Sequence, residues 1–142
     1  MILEVPVFIQ TTQFNCGPTC LKMVLSYFGE QFGVEVLEKR MGVNRDKGVN
    51  SIQIASGAAS LGYGVIFYSK SIGFNVENNN LEFYKKYNDL DTSQTNVWID
   101  KAKKSGAVLI EKQITLNEVL GYVSEESVPI VLLDWNVING KN

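Results

Sequence analysis

Two thiols, Cys16 and Cys20, lie four residues apart in the stretch TTQFNCGPTC, and the first directly precedes a Gly-Pro pair. A cysteine attacks a carbonyl through its thiolate, which the start of a helix favours with its positive dipole end and unpaired N–H groups. Pro18 falls where a helix would begin, because its missing N–H costs little there. Cys16 is therefore placed to be a nucleophile. Its backbone N–H, with a side-chain amide from Gln10 or Gln13, would make an oxyanion hole. The competing reading is a half-exposed cysteine without a task, since one Cys near one Gln is a common coincidence. Cys20, beside Leu21 and Val24, is expected to be a small core residue. Helical spacing disfavours a disulfide between the two, and two cysteines cannot close a four-ligand zinc site. No metal centre is expected, and both thiols should be free in a reducing compartment.

The chain contains no histidine. Thiol catalysis ordinarily relies on an imidazole that takes the thiol proton and returns it to the leaving group, so any such base would have to come from elsewhere.

The elements that must position Cys16 follow from apolar spacing. Leu21, Val24, Leu25 and Phe28 recur at helical intervals and predict a helix over 17–28, with Gly29 as its stop. A second helix is expected over Val34–Met41, and a third from Ser51 as N-cap to Leu61. Ile2 to Ile9 reads as an edge strand and Val65 to Ser69 as a strand. Residues 74 to 80 read as a loop and Leu81 to Tyr87 as a short helix. Another helix, capped by Thr92 or Ser93, should run toward Gly106. Ala107 to Ile110 reads as a buried strand, and Thr115 with Glu118 as a capping box opening a helix. Pro129 to Leu133 is the most apolar strand candidate.

Helices first and strands later suggest an α+β domain with a helical half and a sheet half. One domain over residues 1–142 is expected, since the length and a 45% hydrophobic content suit a single core. The sheet half looks incomplete: a strand as apolar as Pro129 to Leu133 should be covered on both faces and paired on both edges. A missing C-terminal segment or another chain is expected to complete it.

A formal charge of −2 gives no basic footprint for nucleic acid. No apolar run approaches the roughly 18 residues of a membrane helix, and the N-terminus lacks signal-peptide organisation. A cytoplasmic protein is expected, with neither nucleic acid nor membrane as partner.

The run from Gln10 through Cys16 to Gly29 resembles the Q-x5-C-G-x-x-C/A-x-x-M-V/I-L-x-Y-x-G signature of papain-like C39 peptidases. The resemblance implies Cys16 as nucleophile and Gln10 as oxyanion donor; many members carry Asp where this chain has Asn15. Further blocks, among them LGYGV from Leu61, AKKSGAVLIEK from Ala102 and VPIVLLDWNVI from Val128, resemble the guanylyl-cyclase-domain-containing family, which includes plant guanylyl cyclases and is itself similar to the C39 fold. The implied architecture is papain-like, with a helical half followed by an antiparallel sheet half. Both families carry a Gly-His block after a strand like Pro129 to Leu133, and none is present here. The implied function is a thiol hydrolase-type domain acting on a peptide or small molecule, its histidine lying outside the chain.

Two alternatives accompany it. One is cyclisation of GTP to cyclic GMP, with Mg or Mn held by carboxylates such as Asp134, Asp89 or Asp91; otherwise no cofactor is expected. The other is a binding module that uses the same groove without chemistry. Asp134 and Trp135 follow the last apolar run, where a groove rim would contact substrate; the competing and favoured reading of Trp135 is a surface aromatic packed against missing strands.

Overall fold

The first helix forms because four apolar residues recur on one side of it and a glycine ends it. In the structure, a computed structural model that describes residues 1–73, 92–133 and 135–140, α1 runs Cys16–Tyr27 and buries Leu21 and Leu25. Gly29 adopts a left-handed φ of 86°. The Gly29 N–H donates to the carbonyl of Ser26, and that of Glu30 to Leu25, so two end carbonyls are satisfied. Helix α2, Val34–Met41, matches its expected span and buries Leu37 and Met41 one turn apart. Gly42 ends it at φ 61°. An added Cβ there would stand 2.5 Å from Trp98 Cζ2, so the cap also lets an indole pack against the turn.

Helix α3, Ser51–Ser60, is capped by Asn50 rather than by Ser51. The Gln53 side-chain oxygen accepts from the Asn50 N–H at 2.7 Å, while Gln53 Nε2 donates to the carbonyls of Met41 (2.7 Å) and Gly42 (3.2 Å). One buried amide thus ties the start of α3 to the end of α2. The sequence of α3, SIQIASGAAS, is short-chained almost throughout, which suits a helix covered on more than one side. Ile52, Ala55 and Ala59 enter one apolar cluster with Ile99, Ala102 and Ala107. Ile54 and Ala58 pack on a second, made of Leu21, Leu25, Leu37 and Met41. Gly57 permits the second contact: a Cβ there would meet Met41 Cγ at 2.8 Å.

The sheet contains β1, Ile66–Ser69, and β2, Val108–Glu111. They pair in parallel, Ile66 opposite Val108 and Ser69 opposite Glu111, which corrects the antiparallel expectation. The connection between them carries helix α4, Thr92–Lys104, packed on α3; a crossover of this kind returns the chain in the same direction. Phe67 and Leu109 face the cluster with α3 and α4, whereas Ile66 and Val108 are half exposed. Helix α5, Leu116–Gly121, opens with the expected capping box, and α6 covers Trp135–Ile138. The α+β class holds.

Two expected strands do not form. Pro129 to Leu133 carries no strand, and Ile130, Val131, Leu132 and Leu133 are exposed, Leu132 at 87%. Apolarity supplies strand propensity, but a strand exists only beside a partner edge; the segment instead follows a tight bridge between Ser124 and Ser127. Ile2 to Ile9 is likewise no strand, with Ile2, Val7 and Ile9 exposed. Here Phe8 lies under Lys22, whose Nζ stands 4.5 Å from the ring centroid. The expected loop at 74–80, the expected helix over Leu81 to Tyr87, and Asp89 and Asp91 fall outside the described residues. Among the described residues no helix is long and apolar enough to cross a membrane.

Candidate functional site

Cys16 is the first residue of α1 and is exposed, whereas Gly17, Pro18 and Thr19 are buried. The exposed thiol therefore sits on a turn whose remaining residues face the protein. Gly17 explains how closely that turn approaches its neighbours: a Cβ would stand 2.5 Å from Val49 Cγ2 and 3.0 Å from Ile54 Cδ1. Thr19 adds a second constraint, as both its N–H (3.0 Å) and its hydroxyl (2.7 Å) donate to the carbonyl of Asn15.

Asn15 precedes the cysteine and is fully buried, at 0% exposure. Its Oδ1 accepts from the Thr12 N–H at 3.2 Å, and its Nδ2 donates to Thr11 Oγ1 at 2.9 Å and to Glu38 Oε1 at 3.0 Å. The loop entering α1 is thereby folded onto Asn15 and fastened to α2. On another side, a Cβ added at Gly48, whose φ is 79°, would stand 3.4 Å from the Phe14 carbonyl oxygen, and the Gly48 N–H and carbonyl both bond Asn44 in a tight bridge. Asn15, Glu38, Thr11 and Thr19 did not figure as site residues in the sequence reading. The sequence marks Asn15 as a short polar residue at an N-cap position, but its side chain caps no N–H of α1 and turns to Thr12, Thr11 and Glu38 instead.

Gln10 is exposed, and its Nε2 donates to the carbonyl of Thr12 at 2.7 Å. Gln10 and Cys16 thus share one loop-and-helix unit, but among the described residues no hydrogen bond joins them. Gln13 is exposed as well. To serve as an oxyanion donor, Gln10 would exchange the Thr12 carbonyl for the substrate oxygen. The Cys16 backbone N–H stands at the first position of α1, where N–H groups have no intrahelical acceptor.

Cys20 is exposed, which overturns its assignment to the core. Residue 20 lies one turn beyond residue 16 and shares its face, while Gly17, Pro18, Thr19, Leu21 and Leu25 are the buried residues of α1. Partial burial, and then the neighbouring charge of Cys16, push the Cys20 thiol above its ordinary range. Both cysteines are free. Asp134 lies outside the described residues, and Trp135 opens α6. Among the described residues no three His, Cys, Asp or Glu side chains gather where they could hold a metal ion.

A family model described as guanylylate cyclase matches residues 5–141. No solved structure matches the chain.

Proposed function

Because the chain belongs to the guanylylate cyclase family, we propose that it is a member with papain-like, C39-type ancestry whose chemistry is that of a thiol hydrolase centred on Cys16. The observation that carries this reading is the placement of Cys16: exposed at the first position of a helix whose next three residues are buried and whose entering loop is fastened through Asn15. A nucleophile needs access and a fixed approach, and this arrangement offers both. Cys16 would attack a peptide or small-molecule carbonyl, and its N–H with the Gln10 amide would receive the developing oxyanion. The proton acceptor would be an imidazole from outside these residues, since the chain has none. Asp134 and Trp135 are assigned to the substrate rim.

Iodoacetamide labelling tests the reading, with both thiols followed by peptide mass spectrometry at pH 7. Cys16 should alkylate faster than Cys20 and faster than free cysteine. A Cys16 rate no greater than that of free cysteine would remove the activated thiolate and the hydrolase reading with it.

Cyclisation of GTP is the second reading, favoured by the family description. It requires carboxylates, with Asp134 foremost, that hold Mg or Mn against the triphosphate. Cyclic GMP formation from GTP and Mn that is abolished by Asp134→Ala and indifferent to Cys16→Ser would establish it in place of the first. Absence of both activities together with retention of a partner would leave the binding module.

A further inference from the structure

Cys16 and Cys20 stand one helical turn apart on α1, both free and both exposed. The turn between them is held by buried Gly17, Pro18 and Thr19 and by the two bonds from Thr19 to the Asn15 carbonyl. Helical residues four apart have Cβ atoms about 5–6 Å apart, beyond the roughly 3.5–4.5 Å that a disulfide spans. Joining the sulfurs directly would mean unwinding a turn for which Gly17 leaves no slack. An acceptor placed between them meets no such obstacle: at about 2.3 Å per metal–thiolate bond, a linear S–metal–S unit spans roughly 4.6 Å.

Coordination number narrows the class of acceptor. Among the described residues no third His, Cys, Asp or Glu joins the pair, so four-coordinate zinc is poorly served and a soft two-coordinate ion is well served. We propose that Cys16 and Cys20 form a bis-thiolate site for a soft monovalent cation of the Cu(I) class. Binding displaces one proton from each thiol and leaves the metal's oxidation state unchanged. Because each thiol gives up a proton on binding, affinity rises with pH. Occupancy would also mask Cys16, so the same ion would block any nucleophilic chemistry there; the site itself does not depend on that chemistry.

The test is anaerobic titration of the full chain with Cu(I) delivered as its acetonitrile complex, in competition with bathocuproine disulfonate. One ion per monomer is expected, with two sulfur neighbours by X-ray absorption and both thiols protected from alkylation. Cys16→Ser and Cys20→Ser should each weaken binding on the order of 100-fold, since each removes one arm of a chelate. The proposal is overturned if either variant, shown folded by circular dichroism, binds within about threefold of the parent. It is also overturned if X-ray absorption gives one or three sulfurs, or if the ion is held between two chains.

Discussion

The Asn15 amide donates to the Glu38 carboxylate at 3.0 Å, joining the residue before the exposed thiol to the middle of α2. An amide suits this place better than a carboxylate would, because Asn15 is wholly buried and its neighbour carries the negative charge. Asn15→Asp would put two carboxyl groups face to face and raise the folded-state pKa of one of them. A group so shifted favours the folded state at low pH and opposes it as pH rises through its unfolded value. The variant should therefore lose about 1–3 kcal/mol at pH 7 and recover much of the loss near pH 4. Urea unfolding at the two pH values, with parent and variant compared at each, measures this.

Gly17→Ala should cost about 1–3 kcal/mol, because its methyl would stand 2.5 Å from Val49 Cγ2. Val49→Ala in the same chain opens that space, and chemical denaturation should show the double variant less destabilised than the two single losses predict. Simple addition of the losses would mean that Gly17 and Val49 are not coupled in this way.

Gln53→Met keeps the side chain's length but removes its hydrogen bonds to Asn50, Met41 and Gly42. Buried carbonyls lose a donor and the start of α3 loses its reciprocal cap. A loss of about 1–3 kcal/mol is expected in thermal or urea unfolding.

At α5, the Glu118 carboxyl is pulled down to about 2, first by Lys112 and then by the N–H and hydroxyl of Thr115. Its folded value lies below the unfolded one, so its contribution is present above the ordinary 4.5 and is lost as pH falls toward 2. A carbon-detected NMR titration should find the Glu118 midpoint far below the ordinary 4.5, and Lys112→Ala should raise it. The group is at the surface, so high salt should reduce the Lys112 part of the shift.

How much of this was legible in the sequence depends on whether an element is decided locally. Helix α2, the capping box at Thr115 and the positions of β1 and β2 were readable, because periodicity, caps and glycine stops act over a few residues. Strand direction was not, since it depends on the crossover through α4 and leaves no local mark. Pro129 to Leu133 has β propensity but, among the described residues, no pairing partner, and a strand needs both. At the site, Cys16 at the head of α1 was readable from Gly-Pro. The exposure of Cys20 was not, because it turns on which face of α1 meets α2 and α3. Nor was the link from Asn15 to Glu38, whose partners are 23 residues apart.

Helix α3 contributes to both apolar clusters, with Ile52, Ala55 and Ala59 in one and Ile54 and Ala58 packed on the other. Neither cluster can loosen fully while the other keeps α3 in place. The two clusters should therefore melt as one cooperative unit, and the amide protons of α3 should exchange with deuterium only through global opening. Those of α5, which buries no residue, should exchange far sooner.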